Sequence, residues 1–168
     1  MNSEMTAPMN ITGETRFYVV VGDPIKQVRS TELYNKLATD KGLDVVFIPL
    51  QFSKEDAETA ISALRVFKNL GGIIPTIPHK PGFMSAVDQL SERARMIGAV
   101  NSIRCEADGT WVGDILDGVG YVNGLVANSH SPQGKSILLV GAGGAGSSMA
   151  FALAEAGASR LHIYDIAI

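Results

Sequence analysis

The chain has 168 residues, 46% of them hydrophobic, with 14 basic and 17 acidic side chains and a formal net charge of -3, which suits a folded soluble protein of one large or two small domains. Its basic residues form no cluster, so nucleic acid and anionic membrane are excluded as partners on electrostatic grounds. The single cysteine, Cys105, cannot form an internal disulfide and has no CxxC or His-rich surroundings, so no metal is expected and the setting is read as reducing and cytoplasmic.

Residues 1–16 are polar with no apolar h-region and read as a loose N-terminus. No later run approaches about 18 uninterrupted apolar residues, so neither secretion nor a membrane span is indicated. FYVVVG (17–22) then reads as a strand, and TELYNKLATDKG (31–42), with Leu33 and Leu37 four apart, as a helix. The pattern repeats with the strand DVVFIPLQF (44–52) and the helix SKEDAETAISALRVFK (53–68), for which Ser53 is the expected N-cap. GGIIPTI is a third strand, and residues 82–98 are expected to be helical up to a glycine stop at Gly98. AVNSIRCEADGTWVGD reads as a hairpin turning at Asp108-Gly109. Residues 117–133 supply a linking helix and loop, and beyond them the composition changes, so a new unit is expected over 134–168.

In that unit SILLV reads as a buried strand of the parallel kind and runs into Gly141-Ala142-Gly143-Gly144-Ala145-Gly146, which opens a helix. This is GxGxxG in its proper context. Gly141 permits a tight turn, Gly143 lets backbone approach a pyrophosphate, and Gly146 allows close packing of helix on strand, while the helix N-terminus presents N–H groups to the anion. A second strand, RLHIYD, ends in Asp165 at about the distance expected of a carboxylate that binds an adenosine ribose. A dinucleotide cofactor is the inference. Asp165 would repel a 2′-phosphate, so NAD is expected over NADP.

A dinucleotide unit placed second implies that the first unit, 17–116, holds the substrate, and hydride transfer at an alcohol needs a group that moves the hydroxyl proton. Lys80, in PTIPHKPG, is the candidate, although a lysine beside prolines can equally be a solvated turn residue. Asp117, where the first unit hands over to the second, is the carboxylate that would orient it.

The ordered stretches GDPIKQVRSTELYN, PTIPHK, GAVNSI and GDILDGVG, ahead of VGAGGAG, resemble the successive motifs of the shikimate/quinate dehydrogenases over nearly the whole chain from about Tyr18 onward. The resemblance implies an α/β protein: an N-terminal substrate-binding domain with a mixed sheet, followed by the start of a Rossmann-type domain, with the reacting hydroxyl in the cleft between them. By position it implies Lys80 as the catalytic lysine, Asp117 as its partner, Asn101 as a ligand of ring hydroxyls, and Thr76 and Ser30 as holders of the substrate carboxylate. It leans toward NADP, against Asp165. The chain departs from the family at Gln27, Val28 and Thr31, at Ile74 and Pro75, and at Ile115 and Leu116, each of which replaces a characteristic residue. Arg29 is a substitute carboxylate contact or a solvated surface arginine.

The implied activity is an oxidoreductase passing a hydride between NAD or NADP and a ring hydroxyl of shikimate, quinate or a related hydroxy acid. The alternative is a catalytically silent sensor of a metabolite or nucleotide on the same fold. A homodimer is left open. Because the sequence stops two strands into a Rossmann-type unit, it is read as part of a longer enzyme and as inactive by itself.

Overall fold

A computed structural model describes residues 10–166. Part of the stretch read as a loose N-terminus is built into the fold. Residues 1–9 lie outside the described part, but Thr15 is buried and its hydroxyl donates to Asp44 Oδ1 at 2.6 Å, and Arg16 already opens the first strand.

Eight strands and five α-helices follow in the order β1 (Arg16–Gly22), α1 (Ser30–Asp40), β2 (Val45–Gln51), α2 (Ala57–Leu64), β3 (Leu70–Pro75), β4 (Gln89–Leu90), α3 (Glu92–Ile97), β5 (Ser102–Cys105), β6 (Trp111–Asp114), α4 (Asp117–Ala127), β7 (Ser136–Val140), α5 (Gly144–Glu155) and β8 (Arg160–Tyr164). β1 to β6 form one mixed sheet in the order β2-β1-β3-β5-β6-β4. β1 runs parallel to β2 and β3, setting Val19 beside Ile48 and Ile73, and β5 pairs antiparallel with both β3 and β6. Val19 and Val21 of β1 and Ile73 of β3 are enclosed because these strands are central, and they share a core with Phe83, Val100, Ile103 and Trp111. Cys105 is buried on β5, and burial pushes its thiol up to about 11, so it has no nucleophilic thiolate at neutral pH.

Three local expectations are corrected. The continuous helix over 82–98 is instead a 3-10 turn at Gly82–Ser85, the short strand β4 and α3. Backbone pairing wins there: Asp88 donates its N–H to the Trp111 carbonyl at 2.9 Å and accepts the Trp111 N–H on Oδ2 at 2.7 Å, while Gln89 and Leu90 pair with β6. α3 is then capped by Ser91, whose Oγ accepts from the Ala94 N–H, and stops at Gly98 in the left-handed region at φ 74°. α2 begins at Ala57 with Asp56 at the N-cap, because the Ser53 hydroxyl is used within a turn, accepting from the Asp56 N–H and donating to its carboxylate. α1 is a helix, but Leu33 and Leu37 face outward; Ala38 is its buried residue, and the Asn35 amide is bonded at 2.8 Å to both the carbonyl and the N–H of Phe47.

β7 and β8 form a separate parallel pair, with Leu138 beside His162. β7 is parallel as expected but not fully buried: α5 covers one face, and Leu138 and Val140 are 67% and 69% exposed on the other. α5 is joined to the first unit through α4. Gly118 is the point of closest approach, where an added Cβ would fall 2.0 Å from the Ser148 carbonyl oxygen, and its N–H donates to the Ser148 hydroxyl at 2.9 Å.

Candidate active site

Lys80 stands on a turn fastened at every step. As β3 ends, the Thr76 N–H donates to the Val21 carbonyl at 2.8 Å, and the His79 N–H returns to the Thr76 carbonyl at 2.7 Å. His79 is 3% exposed; its Nε2 lies 2.9 Å from the Phe52 carbonyl and its ring leans on Phe52. It is therefore a strut of this turn. The Lys80 carbonyl accepts the Val100 N–H at 3.0 Å, which ties the turn to the segment leading into β5. The prolines around Lys80 exclude helix and restrict the backbone, leaving the side chain as the movable part.

Asp117 comes from the opposite wall, at the first position of α4. The corner before it is held by Asp114, whose carboxylate accepts from Ser91 Oγ at 2.5 Å, Arg93 Nε at 2.7 Å and the Ile115 N–H at 2.7 Å. Burial alone would raise the Asp114 carboxyl, but the hydrogen bonds from Arg93, Ser91 and Ile115 outweigh it and hold the group below the usual carboxylate range. Asn101 bridges the two arms: its Oδ1 accepts the Leu116 N–H at 2.8 Å and its Nδ2 donates to Asp117 Oδ1 at 2.6 Å. The other carboxylate oxygen, Asp117 Oδ2, receives Lys80 Nζ at 2.5 Å. Thus 37 residues of sequence separation close into one ion pair. Its side chains are 13% and 24% exposed, so solvent screens the pair less than a surface one.

The pair lies on the wall of a cavity of about 250 Å³. Ser30, Thr76, Asn101 and Ser102 add polar groups to it, and Val28, Ile74, Pro75 and Leu116 an apolar side. Of the departures from the family pattern, Val28, Ile74, Pro75 and Leu116 thus border the cavity, whereas Ile115 is fully buried in the core. Arg29 is corrected. Its side chain is 85% exposed and paired with Glu32 at 3.0 Å, one helical turn away, so it does not line the cavity. Tyr34 does line it. It stands four residues from Ser30 on α1, a spacing that puts both on one helix face.

The glycine loop is adjacent. Gly141 has φ 98°, a region that favours glycine, and its N–H donates to the Tyr164 carbonyl at 2.8 Å. An added Cβ on Gly146 would fall 2.0 Å from the Gly141 carbonyl oxygen, so only glycine permits this close turn of α5 on the loop. Gly143 is the N-cap of α5 and has no side-chain cap; Gly144 and Ala145 follow as its first two residues. The uncapped N–H groups at this helix start, with open space at Gly143, fit a phosphate-bearing cofactor. Asp165 Oδ2 accepts the Ala142 N–H at 2.5 Å, linking the end of β8 to the loop. A Cβ on Gly144 would lie 3.7 Å from Lys80 Cδ, so the loop borders the lysine. Among the described residues no group of three or more His, Cys, Asp or Glu is placed to hold a metal ion, and no helix is long and apolar enough to cross a membrane.

Residues 20–103 match the family model described as the shikimate dehydrogenase substrate binding domain. The shikimate dehydrogenase (NADP(+)) of Rubrobacter xylanophilus is 36% identical over 159 residues, covering 95% of this chain and 55% of that protein. The crystal structure of shikimate dehydrogenase from Aquifex aeolicus superposes with a TM-score of 0.86 at 30% identity, over 94% of this chain and 58% of that one. Shikimate 5-dehydrogenase from Listeria monocytogenes, solved in complex with shikimate and NAD, gives 0.86 at 29% identity, over 95% of this chain and 54% of that one. The chain spans about half the length of the curated relatives it matches. With the mixed sheet, the order of the motifs and the family match in agreement, this chain belongs to the shikimate dehydrogenase family and carries its N-terminal substrate-binding domain.

Proposed function

We propose that the protein carrying this chain is an oxidoreductase that moves a hydride between a nicotinamide cofactor and a ring hydroxyl of shikimate, quinate or a related hydroxy acid. The observation that carries this reading is the 2.5 Å contact of Lys80 Nζ with Asp117 Oδ2 in a cavity bordered by the glycine loop. Residues 17–116 are the substrate domain, 117–133 the link, and 134–168 part of a Rossmann-type unit, of which 167 and 168 lie outside the described residues. The setting is cytoplasmic, and the outward-facing Leu33 and Leu37 are compatible with a homodimer.

A bound nicotinamide supplies the hydride in the reducing direction and takes it in the oxidising one. Gly143, Gly144 and Ala145 present helix N–H groups to its phosphates. Lys80 Nζ gives a proton to the substrate oxygen as the carbonyl becomes an alcohol, and takes it back in reverse. Asp117 holds that Nζ in place, and Asn101 Nδ2 holds Asp117. Ser30 and Thr76 bind the substrate carboxylate. Asp165 favours the ribose diol of NAD over a 2′-phosphate, although the Rubrobacter xylanophilus relative is an NADP(+) enzyme by name.

The test follows nicotinamide absorbance with both cofactors and a panel of hydroxylated ring acids, on the protein at its full natural length. Turnover with at least one acid is expected, with shikimate itself poor because Val28 and Ile74 offer no hydrogen bonds; the double variant Val28→Ser, Ile74→Asn should raise its kcat/KM by about tenfold or more. Ligand-induced stabilisation without turnover across the panel would instead select the sensor reading. Asp165→Asn should move the ratio of catalytic efficiencies toward NADP. A native preference for NADP, or an unmoved ratio, would remove Asp165 as the discriminator.

A further inference from the structure

We infer that Tyr34 is a further substrate-binding residue of the cavity, its phenol acting beside the hydroxyls of Ser30 and Thr76 to hold a hydrogen-bond acceptor of the bound hydroxy acid. The inference rests on reading this cavity as the substrate site. All three side chains line it, and among the described residues none of the three hydroxyls has a hydrogen-bond partner within the protein. Among the described residues no buried side-chain oxygen lacks a partner, so these three oxygens are not sealed in the core, and their residues line the cavity.

Tyr34 is also fixed by its neighbours. Its ring lies against Phe47 with centroids 5.0 Å apart, and the neighbouring Asn35 is locked to the Phe47 backbone by two hydrogen bonds of 2.8 Å. A phenol on so rigid a support loses little freedom when it binds, which favours selectivity over mere adhesion. Val28 and Ile74, which line the same cavity, contribute no polar side-chain atom, so hydroxyls supply much of the available hydrogen bonding. Among the described residues that line the cavity the one cation is Lys80, which is engaged by Asp117, while Arg29 is turned out to Glu32. The acceptor is therefore an oxygen recognised by neutral donors, either a carboxylate or a ring hydroxyl.

The experiment is calorimetric titration of shikimate, quinate and the methyl ester of shikimate into the protein at its full natural length and its Tyr34→Phe variant, which keeps the ring and removes only the oxygen. Tyr121→Phe, whose ring is exposed and outside the cavity, serves as the control. Tyr34→Phe should weaken acid binding by about tenfold with the melting temperature unchanged, while the control binds as wild type. If the weakening is absent with the ester, the acceptor is the carboxylate; if it persists, the acceptor is a ring hydroxyl. Wild-type affinity in Tyr34→Phe overturns the assignment and leaves the cavity as substrate site. A fall of several degrees in its melting temperature also overturns it, since the hydroxyl would then serve the fold. No binding of any of the three compounds by the full-length wild-type protein removes both this assignment and the substrate reading on which it rests.

Discussion

The two sheets of this molecule differ in how they close. In the mixed sheet Val19, Val21 and Ile73 have no exposed surface, because helices and loops cover both faces of the central strands. In the β7–β8 pair α5 covers one face, and Leu138, Val140 and Tyr164 stand open on the other. The first unit thus owns a core, while the second leans on the first through α4 and α5 at Gly118 and Ser148. The chemistry follows the same division: the ion pair is built wholly from the unit with the core and its adjoining helix, and the glycine loop is brought to it by packing.

The comparison is tested first where the consequence is largest. Lys80→Ala should lower turnover by about two to four orders of magnitude, with the melting of the mixed sheet and the affinity for the nicotinamide cofactor little changed. Near-normal turnover would remove Lys80 from the mechanism and break the assignment of chemistry to the first unit. Next in size is a matched pair of truncations in the 168-residue chain. Ile73→Ala should cost about 2–5 kcal/mol in denaturant unfolding, and Leu138→Ala under about 0.5 kcal/mol. Equal costs would mean that both sheets close in the same way. Gly118→Ala sharpens the comparison at the contact itself, since its methyl cannot fit at 2.0 Å from the Ser148 carbonyl. A loss of about 1–3 kcal/mol is expected, and hydrogen exchange should rise in α5, β7 and β8 while β1 and β3 stay protected. Uniform exchange across both units would show that they unfold together.

Much of the fold was legible because local and tertiary demands agree there. The valine run of β1 suits a central parallel strand, and Gly98 and Gly109, at φ 74° and 88°, sit where the chain needs left-handed backbone. Legibility failed where partners distant in sequence decide. Residues 82–98 carry a helical pattern, yet Asp88, Gln89 and Leu90 pair with β6, whose approach no local window contains. Leu33 and Leu37 had the spacing of an inner face, but Asn35 had the better offer from the Phe47 backbone, and paired buried polar groups outweigh two exposed leucines. Arg29 illustrates the same limit in the site: its charge suggested a carboxylate contact, while its position beside Glu32 turned it to solvent.

What the sequence determined by itself is the order of chemical parts: a proline-framed lysine, an aspartate at the entry to α4, and a glycine loop between a strand and a helix. These depend on backbone restrictions that act over a few residues, so a short window contains their cause. Only the tertiary structure decided that Lys80 Nζ meets Asp117 Oδ2, that Asn101 bridges the two arms, and that Tyr34 and not Arg29 enters the cavity. Those outcomes depend on the crossing of β3, β5 and β6 and on which face of α1 packs against β2. They are set by the competition among long-range contacts for burial and hydrogen bonds, which spacing along the chain does not encode.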